Sequence, residues 1–132
     1  MQQLVSEAGL QDDIQVDSVG TGSWHVGDTA HPGTRRILAE HGIQYVGRAR
    51  QIGRSDIDND TWFICMDDSN LHEVEQRYGS LPHLYRLLDF APQVDVREVP
   101  DPYFTGDFES VYQLVLAGCE GLIATIRSEN GL

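Results

Sequence analysis

Apolar and polar positions alternate in blocks along this chain, and the period changes from block to block. The clearest block lies at the C-terminal end. Phe108, Val111, Tyr112, Val115, Cys119, Leu122 and Ile126 recur at steps of three, four and seven, which predicts a helix with one core-facing stripe. "TWFICM", 61 to 66, is a short run of β-formers and apolar residues. It predicts a strand buried on both faces. "DDSNLHEVEQRYG" follows as a helix, with Asp67 or Asp68 near its start and Gly79 at its stop. "LYRLL", 84 to 88, reads as a further strand ahead of the turn "DFAPQ".

The first half repeats the alternation. Leu4, Val5 and Ala8 stand at helical spacing over residues 2 to 8, and Gly9 supplies a stop. No capping residue precedes them. "DIQVDSVGTG" gives a strand near 14 to 19 with Ile14, Val16 and Ser18 on one face. A glycine-rich loop, "GTGSWHVGDTAHPG", leads to a helix over about 33 to 41, stopped by Gly42. Strands alternating with helices predict an α/β fold with a parallel sheet and right-handed crossovers. Ligands in such folds bind beyond the carboxyl ends of the strands. That directs attention to the loops 20 to 30, 66 to 70 and 89 to 107.

Composition narrows the function. The chain has 132 residues and a formal net charge of −12. One domain is expected from that length, and nucleic acid is disfavoured as a partner because phosphate backbones need Lys and Arg. No apolar run reaches eighteen residues, and the first ten lack the pattern of a signal peptide. The expectation is a cytoplasmic chain with no membrane span. Cys65 and Cys119 do not form a C-x-x-C pair, and the five histidines lack ligand spacing. Neither a metal nor a cofactor is expected. Cys119 falls on the helix stripe, where a cysteine behaves as a small apolar residue.

Three segments carry candidate chemistry. In "VPDPYF", Pro100 and Pro102 restrict the backbone on both sides of Asp101. Two readings fit: a turn whose Asp bonds nearby amides, or a general acid held on a stiff loop. Tyr103 and Phe104 are either core residues or the wall of an aromatic slot. In "GTGSWHVG", Trp24 is either a lid or a ring packed on the sheet, and the G-x-G is weak as a phosphate fingerprint because no helix opens directly after it. In "ICMDDSNL", Asp67 is a helix cap or a buried hydrogen-bonding group.

Taken in order, "VDSVGTGSWHVGD", "RRILAEHGI", "RARQI", "ICMDDSNL", "LLDFAP" and "VPDPYFTGDFESVYQL" resemble the low-molecular-weight protein tyrosine phosphatases, in their bacterial form. The resemblance implies a three-layer α/β sandwich around a short parallel sheet. It implies that Asp101 is the general acid that protonates the phenolic oxygen of phosphotyrosine. Trp24, Tyr103 and Phe104 map onto the substrate slot, with Phe104 where many members carry a second tyrosine. Ser18 matches a serine that supports the phosphate loop, and Gly47 falls near a position where some members carry a histidine in that support. "HPG", 31 to 33, departs from the more usual D-P-R. The implied partner is a phosphotyrosine-containing protein.

One departure bears on the chemistry. The family's nucleophile sits in C-x5-R, after a first strand. Here Cys65 is followed at that spacing by Leu71, and Cys119 by Thr125. The resemblance therefore implies that the central first strand, the nucleophile and its arginine are missing, that the chain is an N-terminally truncated form starting inside the first helix, and that it is inactive as it stands. Loss of a central strand leaves unsatisfied edges, so poor stability or a swapped homodimer is expected. Two other readings stand beside it: a non-catalytic interaction module, and an arsenate reductase, which the D-P-Y segment and the placement of both cysteines disfavour.

Overall fold

The computed structural model describes residues 1–22, 26–45, 47–102 and 106–132. It divides into two compact units: Met1–Asp17 with Leu87–Leu132, and Ser18–Arg86. The fold is α/β, with one short parallel sheet among helices.

The first unit is built on a long helix. Its first helix, α1 (Gln2–Glu7), has Met1 at the N-cap with no side-chain cap, and buries Val5. The chain turns back at Gly9, where the Leu10 amide donates to the Val5 carbonyl at 2.9 Å. Helix α1 packs on the C-terminal helix, Phe108–Asn130. The side chain of Asp107 accepts from the Ser110 amide at 3.0 Å and so caps that helix. Cys119 and Leu122, from the apolar stripe, are its buried side chains.

Against that helix sits a 3₁₀ turn, Leu87–Phe90, in which Leu88 is fully buried and Leu87 nearly so. Burying each leucine is worth about 1.5–3 kcal/mol. The approach is close because of two glycines. A Cβ on Gly118 would lie 2.5 Å from Leu87 Cγ, and one on Gly121 would lie 1.7 Å from the Phe90 carbonyl oxygen. The helix therefore meets a leucine side chain at Gly118 and backbone at Gly121.

The second unit carries the sheet. In order it contains a helix α2 (Pro32–Glu40), a strand β1 (Phe63–Cys65), a helix α3 (Asp68–Tyr78) and a strand β2 (Leu84–Arg86). The strands pair in parallel, with Phe63 opposite Leu84 and Cys65 opposite Arg86. Phe63 and Cys65 join Ile52 and Val74 in the core, while Ile64 is only half-buried. Thus β1 alternates and has one fully buried face, where burial on both faces was expected. Asp67 is the cap of α3, its carboxylate accepting from the Asn70 amide at 2.8 Å. Asp68, one position on, pairs instead with Arg86 at 2.9 Å.

Two expected strands differ from what is found. Residues 14 to 19 form no ladder; the first bridge is the isolated parallel pair Gly20 and Gln51. Their alternation is real, but a strand exists only with a pairing partner, and among the described residues none runs beside them. Residues 84 to 88 are a strand only to Arg86. The register supplies the reason: Leu87 would need a partner after Cys65, where the chain already turns into α3.

The packing of the long helix makes a graded prediction. Gly121→Ala forces a backbone carbonyl aside and is expected to cost at least about 2 kcal/mol net of the roughly 1 kcal/mol gained in helix propensity. Gly118→Ala meets only a leucine side chain and is expected to cost less. Urea denaturation of both variants checks this, and a Gly121→Ala protein as stable as its parent would contradict it.

Candidate functional site

The loop between the 3₁₀ turn and the long C-terminal helix, here α4 (Phe108–Asn130), holds Asp101. Its start is fixed by Arg97. The guanidinium donates to the Leu88 carbonyl at 2.5 Å, to the Ala91 carbonyl at 3.3 Å and to the Val94 carbonyl. One planar five-donor group can bind three acceptors at once, so the turn 88–94 is tied to the residue that leads into the loop. Ala91 and Val99 are buried beneath it. Its end is fixed by the Gly106 amide, which donates to the Pro102 carbonyl at 2.7 Å, and by the Asp107 cap on α4. The hydrogen bonds from Ser110 to Asp107 hold that carboxyl below the usual carboxylate range. Between these anchors, Asp101 is exposed. Tyr103 and Phe104 lie outside the described residues.

The other candidate residues belong to the second unit. Ser18 is exposed and ends the segment 14–18. Its Oγ lies 3.5 Å from the Tyr45 hydroxyl. Beyond it, a cavity of about 200 Å³ is lined by Gly20, Thr21, Gly22, Val26, Ala49, Arg50 and Glu73. Trp24 is in the chain between Gly22 and Val26 but lies outside the described residues. The loop that lines the cavity is held by backbone bonds: Gly20 to the Arg50 carbonyl at 2.8 Å, Ile52 to the Gly20 carbonyl at 2.9 Å, and Gly27 to the Ala49 carbonyl at 2.7 Å. Arg50 faces this cavity, yet its guanidinium is engaged by both oxygens of Asp56, at 2.9 and 3.1 Å. Those bonds, with one from the Gly53 amide, hold the Asp56 carboxyl below its ordinary range. Arg50 is thus a braced structural cation. A larger recess of about 490 Å³, in the first unit, is lined by Gln2, Val5, Ser6 and residues 11 to 16. It is polar and contains none of the predicted site residues.

Neither cysteine is prepared for attack. A thiolate is the nucleophile, and reactive cysteines sit in electropositive, partly open surroundings. Cys65 is buried in the sheet, and burial, with Asp67 nearby, pushes its thiol up to about 11. Burial likewise raises Cys119 on α4. Among the described residues no three His, Cys, Asp or Glu side chains converge as a metal site requires, and no helix is long and apolar enough to cross a membrane.

Three features escaped the sequence reading. Arg97 gave no signal, because its acceptors are all backbone. The Tyr45 contact spans 27 residues. The third is a ring stack, Trp62 on His83 at 5.0 Å and 12°, with Tyr85 at 5.3 Å from Trp62. The β1–β2 register brings it together, so it is legible only once the pairing is known.

Residues 1–131 match the family described as low molecular weight phosphotyrosine protein phosphatase. The chain is 42% identical over 132 residues to the low molecular weight protein-tyrosine-phosphatase YfkJ of Bacillus subtilis, covering 98% of this chain and 85% of that one. It is 37% identical to PtpA of Staphylococcus aureus (strain MRSA252), covering 100% of this chain and 84% of the other. The crystal structure of YfkJ superposes with a TM-score of 0.92 at 41% identity, over 97% of this chain and 82% of that one. The crystal structure of DARP, a Drosophila arginine phosphatase, gives 0.86 at 28% identity, over 96% and 85%. The chain belongs to the low molecular weight phosphotyrosine protein phosphatase family.

Proposed function

We propose that this chain supplies the proton-donating half of a phosphotyrosine-directed phosphatase, with Asp101 as general acid and a phosphotyrosine-containing protein in the cytoplasm as substrate. The observation that carries this is the loop 97–107. It is braced at its start by Arg97 and at its end by Gly106 and Asp107, and the acid stands between two prolines. A general acid must lie within hydrogen-bond reach of the leaving oxygen, and a stiff loop maintains that reach. In the reaction a thiolate attacks phosphorus. The P–O bond to the phenol breaks as Asp101 hands its proton to the departing oxygen, and the Asp101 carboxylate then takes a proton from the water that opens the phosphocysteine. Trp24, Tyr103 and Phe104 would grip the aryl ring, and Ser18 would support the loop that binds the phosphoryl oxygens.

The attacking thiolate and its arginine are not among these 132 residues, since neither cysteine is followed by arginine at the sixth position. In the proposed reading the nucleophile loop is supplied by a segment other than these residues. The family description and the two named bacterial relatives favour an aryl phosphate; the Drosophila neighbour makes phosphoarginine the comparison substrate.

A second reading rests on the sheet edge. Among the described residues β1 pairs only with β2, so its other edge is open to a strand from another chain, including a second copy. Light scattering at tens of micromolar decides it: a defined dimer supports the reading, a stable monomer rejects it.

Two measurements test the catalytic reading. The chain alone is expected to show no turnover of p-nitrophenyl phosphate, and both thiols are expected to alkylate slowly while the protein is native. For Cys65 the raised thiol alone slows the reaction on the order of 100-fold near pH 8. A fast-reacting native thiol would overturn that expectation. Fused at its N-terminus to a strand and C-x5-R loop of the kind the family resemblance implies, the chain is expected to hydrolyse phosphotyrosine. Asp101→Asn should then lower kcat by roughly 10²–10⁴-fold, with a smaller loss for leaving groups of low pKa. An unchanged kcat would remove Asp101 from the mechanism.

A further inference from the structure

The glycine-rich loop borders a space that the chemistry of Asp101 leaves unused. The cavity of about 200 Å³ lined by Gly20, Gly22, Val26 and Ala49 also takes in Arg50 and, from α3, Glu73. Its backbone is already committed. Gly20 and Ala49 each use both amide and carbonyl, and the Thr21 carbonyl accepts from the Gln51 side chain at 3.2 Å. The two charged side chains differ. Arg50 is paired with both oxygens of Asp56. Glu73 is half-buried and, among the described residues, makes no hydrogen bond or ion pair. The cavity therefore offers one unmatched negative charge beside walls of Val26, Ala49 and glycine backbone.

Its size and its charge select an occupant. About 200 Å³ is below the roughly 300 Å³ at which pockets for drug-sized ligands begin, and suits one side chain. Lysine and arginine meet both conditions: the apolar stem lies on the apolar wall and the charged head reaches the carboxylate. An acidic side chain would face Glu73 as a like charge. A neutral aliphatic one would take water from the carboxylate and give it no partner.

We propose that this cavity is a subsite for a lysine or arginine side chain of the phosphotyrosine-containing protein, with Glu73 as the specificity-determining residue. The proposal rests on the reading in which Trp24 grips the aryl ring. Trp24 is two residues from Gly22 and two from Val26, so the loop that carries the grip also carries a wall of the cavity. The basic residue is accordingly one close in sequence to the phosphotyrosine.

The first measurement needs no catalysis. The isotope-labelled 132-residue chain is titrated by NMR with N-acetyl-lysine amide and, separately, with N-acetyl-norleucine amide, which lacks the charge. The lysine derivative is expected to shift the amides of Gly20, Gly22 and Ala49, the norleucine derivative to leave them in place, and Glu73→Gln to abolish the lysine effect. No shift, or shifts that survive Glu73→Gln, overturn the subsite. The second measurement reads specificity in the fused protein. kcat/KM for a phosphotyrosine peptide flanked by lysine is expected to exceed that for its norleucine counterpart roughly threefold to fivefold, as a partly exposed ion pair gives. The ratio should fall with salt, and Glu73→Lys should turn the preference toward a glutamate-flanked peptide. A ratio near one that Glu73→Lys does not move overturns the specificity role and leaves the phosphatase reading intact. An inactive fusion counts against that reading, and the titration still decides whether the cavity takes a cation.

Discussion

Contact between α4 and the 3₁₀ turn is the constraint on which the acidic loop depends. Gly118 lets the helix lie against the Leu87 side chain, and Gly121 brings it to the Phe90 carbonyl. That seating fixes two points in space: the end of the turn, where the loop departs, and the start of α4, where it returns. A loop of this length would sample many shapes if its ends could drift, because closure entropy changes slowly with span. With both ends set, Arg97 and the Asp107 cap need only remove the remaining freedom. The chemistry assigned to Asp101 therefore rests on a packing contact that contains no catalytic group.

Legibility in the sequence followed the reach of the interaction. The stripe on α4 repeats over 23 residues, so its period is unmistakable, and Asp67 was readable as a cap because its bond closes three residues away. The strand at 14 to 19 was misread because alternation describes a surface, whereas a ladder needs a neighbour. Residues 87 and 88 were misread because β2 stops where β1 stops, a fact about another segment. Gly121 gave no signal, because what it meets is a carbonyl 31 residues earlier. Within the candidate site, Asp101 stood out through its flanking prolines. Arg97 did not, since three backbone carbonyls leave no trace in side-chain pattern.

The cysteines show why residue type alone is a poor guide to a nucleophile. The family depends on a thiolate, and this chain has two thiols, yet both lie in apolar packing that favours the neutral form. Moving either toward reactivity would require cations or amide dipoles around it, and Cys65 has instead the Asp67 carboxylate nearby. The same aspartate is committed to capping α3. Burial does most to keep the Cys65 sulfur protonated, and the aspartate that caps the helix adds to it, so the strand-to-helix junction serves as structure.

The same constraint acts on a single hydroxyl at Tyr45 and Gly47. A side chain can reach a partner either by growing from the nearest position or by crossing from a neighbour over a residue small enough to be crossed. The second route leaves two marks, a glycine without backbone need and a ring lying where its Cβ would be, and both are present here. The crossing costs the site adaptability: any change at 47 displaces the ring, and with it the hydroxyl beside Ser18. Such coupling makes Gly47 as restricted as the groups it never touches chemically, for the same reason that Gly121 is restricted beneath the acidic loop. In both places the absence of a side chain is what sets the position of a polar group.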